Sequence, residues 1–231
     1  MLVVFTATVF VSASLLFVVQ PMVGKMILPH LGGSSAVWTT CMLFFQAALL
    51  AGYIYAHVLA EWFERRRQVW VHLGVMAVTI FVALPLSVPT GLLRTDQALA
   101  GWLLLALLLG VGAPMLMVSS TAPLFQRWFS YTDHPDAADP YHLYAASNVG
   151  SMVALFGYPL VIERTLHIGW QTWGWSVGFG GLTLCAALCG MYLNRRIEEK
   201  SPSGGGAEAS DSSDESAGGM DVRSEPVTWS R

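Results

Sequence analysis

The chain has 231 residues and a formal net charge of −3, with 12% charged and 54% hydrophobic residues. A typical globular protein has about 25% charged residues, so this chain has too few charges to cover a soluble surface. The charges also cluster and leave uncharged stretches long enough to cross a bilayer. The composition therefore indicates an integral membrane protein. It excludes a nucleic-acid-binding protein, a disulfide-stabilised secreted domain and a soluble dinucleotide-binding enzyme.

Six segments are apolar over the length that a membrane-spanning helix needs, which is about 20 residues. They are continuous apolar runs and lack the short alternating pattern of a β-barrel, so we expect an all-α integral membrane protein. The first segment has no basic flank before it and is expected to be retained as a helix. The six predicted transmembrane helices cover residues 2–20, 36–60, 69–88, 98–119, 141–162 and 172–193.

Residues that start or weaken helices lie next to several of these segments. Ser34, Asp96 and Asp139 are each predicted to cap the helix that follows, with Pro140 at the first helical position of the fifth. Pro21 removes a backbone donor just after the first segment. We therefore expect the first helix to end near this proline and to expose backbone carbonyls.

The composition changes after residue 196. Residues 197–231 contain eight acidic and three basic residues, and 201–219 is rich in Ser, Gly, Ala, Asp and Glu without periodicity. Such a segment buries too little apolar surface to offset the entropy of ordering it. We expect a six-helix transmembrane domain at 1–196 and a disordered, acidic cytoplasmic tail at 197–231.

Lys and Arg in the short loops predict the orientation, because cytoplasmic loops of membrane proteins carry an excess of both. Both termini are predicted in the cytoplasm, which makes this a multi-pass protein of the inner cell membrane. The cytoplasmic side then holds seven basic residues, namely Arg65, Arg66, Arg67, Arg127, Arg195, Arg196 and Lys200. The other side holds Lys25, Arg94 and Arg164.

Tryptophans give a second sign of the membrane boundaries, because they concentrate at both interfaces of a bilayer. Eight of them fall near predicted helix ends. They are Trp62, Trp70 and Trp128 on the cytoplasmic side, and Trp38, Trp102, Trp170, Trp173 and Trp175 on the other.

Polar residues within the spans are costly and are therefore candidates for a site. We expect several of five polar side chains to converge on one cavity inside the bundle: Gln20, Lys25, Gln46, Ser120 and Asn148. Two alternatives remain open. Lys25 is either a lysine that reaches the interface or a cation in a translocation path, and Asn148 either joins two helices or binds a solute.

The fourth segment contains Gly110, Gly112 and Pro114, followed by Ser119-Ser120-Thr121-Ala122-Pro123. Interrupted spans of this kind occur at transporter binding sites, and they also occur as simple kinks. The chain has no HExxH motif, no GxSxG motif and no paired carboxylates. We therefore expect no catalytic residue, no metal and no cofactor.

Three stretches give the chain a family resemblance. They are Gln20-Pro21-x-x-Gly24-Lys25 with the residues through His57, Ser119-x-Thr121-Ala122-Pro123-Leu124, and Pro140-Tyr141-x-Leu143-Tyr144-Ala145-x-Ser147-Asn148. Together they resemble the membrane half of bacterial fused major-facilitator/spermidine-synthase-like proteins. That resemblance implies a six-helix bundle like one half of a major facilitator. The synthase-like domain that would perform aminopropyl transfer has no counterpart in these residues.

Two functions are compatible with these observations. The first is a transporter-like module for a small polar solute, which would need a homodimer to build a central path. The second is a non-transporting membrane anchor or partner subunit for a separate, soluble synthase-like enzyme. A cationic Lys25 in the path would favour an anionic or zwitterionic solute over a polyamine.

Overall fold

Long helices make up the bundle in the computed structural model, which describes residues 1–92, 99–132, 134–137 and 139–200. We number them α1 (Leu2–Leu31), α2 (Ser35–Trp62), α3 (Arg65–Ala83), α4 (Leu99–Ser130), α5 (Tyr141–Thr165) and α6 (Ile168–Lys200). Single π-helical turns interrupt α4 at Leu108–Gly112 and α5 at Tyr158–Ile162. The described part of the chain contains no β-strand.

Five of these helices, all except α3, are long and apolar enough to cross a membrane. The predicted all-α membrane architecture is confirmed to that extent. Helix α3 has only 19 residues and begins with three arginines, Arg65, Arg66 and Arg67. It nevertheless packs against both α4 and α6, so it belongs to the same bundle.

Several predicted boundaries were wrong. Helix α1 continues through Pro21 and Pro29 to Leu31, and α4 continues through Pro114 and Pro123 to Ser130. A proline inside a membrane helix is tolerated because neighbouring groups satisfy the backbone that it frees. The expected end of the first helix near Pro21 therefore does not occur.

Of the three predicted helix N-caps, one is confirmed and one is wrong. The Ser34 side chain accepts a hydrogen bond from the amide of Val37 at 3.4 Å, which confirms its predicted role. Helix α5 has Pro140 itself at its N-cap, so Asp139 does not cap it. Asp96 lies outside the described residues.

The last helix is longer than predicted at its C-terminal end. Helix α6 reaches Lys200, so the first four residues of the predicted tail are helical. Residues 201–231, which make up the rest of that predicted tail, lie outside the described residues.

Helices α1 and α4 form the centre of the bundle. Helix α1 packs against α4, α5 and α6, and α4 packs against α1, α2 and α3. The Ser12 hydroxyl joins the two central helices by donating to the carbonyl of Val118 at 2.8 Å. Helices α3 and α6 pack together on one side of this pair, and we call their outward surface the back face.

Two glycines allow the outer helices to approach the central ones closely. A Cβ at Gly150 of α5 would lie 2.5 Å from the carbonyl oxygen of Phe10 in α1. At Gly52 of α2 it would overlap the side chain of Ser119 in α4. Small residues at such crossings let two backbones come together.

The helix ends define two ends of the bundle. One end contains the α2–α3 turn and the arginines at positions 65–67, 127 and 195, and we call it the Arg-rich end. The other contains the α1–α2 turn with Lys25 nearby, and we call it the Lys25 end. Arg164 lies at the Lys25 end, while Arg94 lies outside the described residues.

Two glutamines hold the turns of the bundle in the same way. Gln68, in the first turn of α3, donates to the carbonyl of Phe63 at 2.8 Å and accepts from the indole of Trp128 at 3.0 Å. Gln171, in the first turn of α6, donates to the carbonyl of Leu166 at 2.8 Å. It accepts from the hydroxyl of Tyr158 at 3.0 Å.

The predicted tryptophan belt is only partly correct. Trp128 is fully buried against α3, and Trp175 is buried and donates to the carbonyl of Leu15 at 2.9 Å. These two residues hold the helices together and do not mark an interface. Five others are exposed as a belt requires: Trp38, Trp62, Trp70, Trp170 and Trp173.

The helix packing has an internal two-fold relationship. Exchanging α1 with α4, α2 with α5 and α3 with α6 leaves the set of packed helix pairs unchanged. Because each half contains three helices, the second half runs through the bundle in the opposite direction. This pairing is the pattern expected for two inverted repeats of three helices, an arrangement that occurs in many transporters.

Candidate functional site

A cavity of about 610 Å³ lies between α1, α2 and α5 near the Lys25 end. Most of its wall is apolar and includes Phe17, Ile27, Trp38, Phe45 and Leu155. Polar groups are few, namely Gln20, Lys25, Ser34, Tyr158 and Glu163. An apolar cavity with a small number of polar groups is the usual form of a small-molecule site.

An ion pair lies in the wall of this cavity. The Nζ atom of Lys25 lies 3.7 Å from a carboxylate oxygen of Glu163 and 3.4 Å from its backbone carbonyl oxygen. The two side chains are 35% and 46% exposed, so water screens their attraction and each can exchange its partner. The pair offers one positive and one negative group beside an apolar wall.

A second cavity adjoins the first on the far side of this ion pair. It lies between the end of α1, the segment 86–90 and the α5–α6 turn, and Lys25 and Glu163 line it as well. His30, Arg164 and His167 also line this second cavity. The ion pair therefore stands between an outer, more polar space and the apolar cavity within the bundle.

The opposite end of the bundle has a matching ion pair that is tighter. The Nη2 atom of Arg127 in α4 lies 2.8 Å from a carboxylate oxygen of Glu61 in α2. Arg127 also donates from Nε to the hydroxyl of Tyr131 at 2.8 Å, and the guanidinium of Arg65 lies over the Tyr131 ring at 4.2 Å. These contacts tie α2, α3 and α4 together at the Arg-rich end.

The two ion pairs are equivalent in the inverted repeat. In the first pair the basic residue lies on α1 and the acidic residue on α5; in the second pair they lie on α4 and α2. The two-fold relationship exchanges α1 with α4 and α5 with α2. The spacing along the chain from Lys25 to Arg127 equals the spacing from Glu61 to Glu163. The same spacing separates two prolines inside helices, Pro21 and Pro123.

Two of the five predicted site residues come together. Gln20 and Lys25 both line the cavity between α1, α2 and α5. They project from neighbouring turns of α1; Gln20 is the last residue of the predicted first helix, and Lys25 lies beyond its predicted end. The structure thus brings these two residues to one cavity, while their role in binding a solute stays a prediction.

The other three residues do not line this cavity. Ser120 is fully buried in α4, where its hydroxyl donates to the carbonyl of Met117 at 3.0 Å. Gln46 on α2 and Asn148 on α5 are exposed on the bundle surface and line no described cavity. Ser120 fails because its helix turns that side chain toward the protein, while both amides face outward.

Sequence reasoning missed the acidic partner of Lys25 and the buried histidine of α3. His72 is fully buried beside Trp128 and Phe125, with its Nδ1 atom 3.5 Å from the hydroxyl of Tyr55. No sequence signal distinguishes it from an ordinary interface histidine. Glu163 had a signal, because its distance from Glu61 along the chain repeats that between the two basic residues.

Comparison with models of protein families, with curated proteins and with solved structures gives no match for this chain. The resemblance to spermidine-synthase-like fusion proteins therefore stays a prediction, as does the likeness to one half of a major facilitator.

Proposed function

We propose that the protein is a transport-type membrane module whose solute site is the cavity between α1, α2 and α5. The observation that carries this proposal is the equivalence of the two ion pairs, Lys25–Glu163 and Arg127–Glu61, at opposite ends of an inverted repeat. Repeats of this kind let one bundle alternate between two states that open to opposite sides of the membrane around a fixed site. The bundle is open beside the first pair and tied together at the second.

The chemistry of the cavity favours an amphipathic, zwitterionic solute. Glu163 attracts an ammonium group, Lys25 attracts a carboxylate or phosphate, and Trp38 and Phe45 provide an apolar surface for the remainder. A polyamine has only positive charges and would be repelled by Lys25. A solute entering from the outer space would first separate Lys25 from Glu163.

Cys41 provides a direct test, because this native thiol lines the cavity and, being only 3% exposed, should react with a reagent when the cavity opens further. In proteoliposomes, a membrane-impermeant methanethiosulfonate reagent added at the Lys25 end is expected to label Cys41. A transported zwitterionic amino acid with an apolar side chain is expected to slow this labelling. Uptake of that amino acid should exceed spermidine uptake and fall at least tenfold in Lys25→Ala.

The control keeps the fold and removes the reactive group. Cys41→Ala should abolish labelling at this position and leave Cys185 and Cys189, which line no described cavity, as the remaining thiols. Robust spermidine uptake that is unchanged in Lys25→Ala would refute the proposed solute class. Absence of any flux, together with a co-purified soluble enzyme, would favour the membrane-anchor function.

A further inference from the structure

The face of the bundle opposite α3 and α6 differs in chemistry from the back face. We call it the front face; it is formed by α2 and α5, the two helices that flank the cavity. The exposed side chains of the back face are apolar along the spans, for example Val78, Phe81, Val177 and Leu184. Those residues match a lipid environment, whereas the front face carries exposed hydrogen-bonding groups among apolar side chains such as Leu50 and Phe156.

Helix α2 contributes a stripe of three such groups. Gln46, Tyr53 and His57 are all exposed, and Tyr53 is 51% exposed. Their spacing of seven and then four residues places them along one side of the helix. That side continues from Met42, which lines the cavity.

Helix α5 contributes a second stripe. Tyr141, Tyr144 and Asn148 are exposed and follow at a spacing of three and then four residues, so they also share one side. Seven residues after Asn148, Leu155 on the same side lines the cavity. The two polar stripes therefore extend the cavity wall toward the Arg-rich end.

Such stripes are unstable against lipid. Gln46 and Asn148 each carry an amide that loses its hydrogen bonds in hydrocarbon, and polar side chains within spans are normally turned toward protein or a water-filled cavity. In an isolated bundle the front face satisfies neither condition, because it lies on the surface. It therefore requires a covering protein surface.

We propose that a second copy of this chain covers the front face, with α2 of each copy against α5 of the other around a two-fold axis along the membrane normal. Counted from the Arg-rich ends of α2 at Trp62 and α5 at Tyr141, Tyr53 and Asn148 differ in depth by about two residues, or about 3 Å. His57 and Tyr144 match equally well. The α2 stripe of one copy thus lies at the same depth in the membrane as the α5 stripe of the other copy. Because the dimer has two-fold symmetry, each contact between the two stripes forms twice.

This arrangement also encloses the cavity, whose open side lies between α2 and α5. That consequence rests on the proposed transport function, since an enclosed cavity is needed for a path. The contact itself does not, because the polar stripes need a cover whatever the protein transports. Dimer formation and solute flux are therefore measured separately.

The test uses disulfide crosslinking of the full chain in native membranes. In a background with Cys41, Cys185 and Cys189 replaced by alanine, Tyr53→Cys and Asn148→Cys are introduced into two differently tagged copies. Oxidation is expected to link the two copies at least tenfold more than Phe81→Cys paired with Val177→Cys, two exposed back-face positions. Gln46→Cys against Gly157→Cys, at another matched depth, gives an independent pair.

Oligomeric state supplies the second measurement. Native mass spectrometry from lipid nanodiscs is expected to show a dimer, and Tyr53→Leu with Asn148→Leu is expected to shift it to a monomer that remains monodisperse. Equal crosslinking of front and back positions would overturn the proposal. So would a monomer in lipid, or a front face that crosslinks only to a different protein.

Discussion

The indole of Trp128 and the side-chain oxygen of Gln68 are joined by a buried hydrogen bond of 3.0 Å. The amide nitrogen of the same Gln68 donates to the carbonyls of Ala60 and Phe63, at 3.2 and 2.8 Å. One side chain thus connects the end of α2, the start of α3 and the last turns of α4. The two carbonyls belong to the end of a helix, where backbone acceptors lack helical partners.

Replacing Gln68 with alanine is expected to destabilise the bundle. The change leaves the buried Trp128 N–H without a partner, and an unsatisfied buried group costs about 1–3 kcal/mol. Denaturant titration in detergent, followed by tryptophan fluorescence, measures the free energy of unfolding. Val78→Ala is the control, because Val78 lies on the same helix with its side chain 61% exposed on the back face, and it should change that free energy by less than about 0.5 kcal/mol. Equal losses in both variants would contradict this account.

Gly150 and Gly181 are expected to respond to alanine in opposite directions. At Gly150 the added methyl group meets the carbonyl of Phe10, so the free energy of unfolding should fall by about 1–3 kcal/mol. At Gly181 an added Cβ would have no neighbouring atom within 4 Å. Alanine there should raise the free energy of unfolding by about 0.5–1 kcal/mol, because alanine has a better helix propensity than glycine. Thermal unfolding in the same detergent compares the two. A loss of stability in Gly181→Ala would show that this surface is covered.

The two ion pairs are expected to affect conformation more than stability. Glu61→Gln and Glu163→Gln should each change the free energy of unfolding by less than about 1 kcal/mol, because the partners are partly exposed. The two variants should change the rate of Cys41 labelling in opposite directions. Glu163→Gln frees the Lys25 end and should speed labelling, whereas Glu61→Gln frees the Arg-rich end and should slow it. Labelling that moves in the same direction in both variants would refute their opposing roles.

The Arg-rich end is expected to face the cytoplasm. Reporter fusions after Arg67 and after Arg196 should both give cytoplasmic signals, because Lys and Arg are retained on that side. A fusion after Gly33, at the Lys25 end, should give the opposite signal and serves as the control. A periplasmic signal after Arg67 would invert the predicted topology.

The sequence predicted the helices well and their ends poorly. Apolar runs are a direct signal of burial in protein or lipid, so the segments themselves were recognisable. The helix ends predicted next to Pro21 and before Pro123 were misjudged because packing inside the bundle satisfies backbone groups that proline would free in water. A proline alone does not report which environment surrounds it.

At the candidate site, the sequence could not predict the direction in which individual side chains point. Gln20 and Lys25 line the same cavity because they lie on one short stretch of one helix. Ser120 lies in a run of five consecutive buried residues, 117–121, because α4 is at the centre of the bundle, and this central position is not visible in the sequence. The partner Glu163 is far away in the sequence, and only the repeated spacing would have indicated it.

The arginines at positions 65–67 have no equivalents in the second repeat. The corresponding turn, between α5 and α6, contains His167, Ile168 and Gly169. A fold made of two inverted halves looks nearly the same from either side of the bilayer, so its shape gives the insertion machinery little means of choosing an orientation. That choice must then rest on features that differ between the halves, and these three charges are the strongest of them. We therefore expect this one short turn to determine the orientation of the whole chain in the membrane.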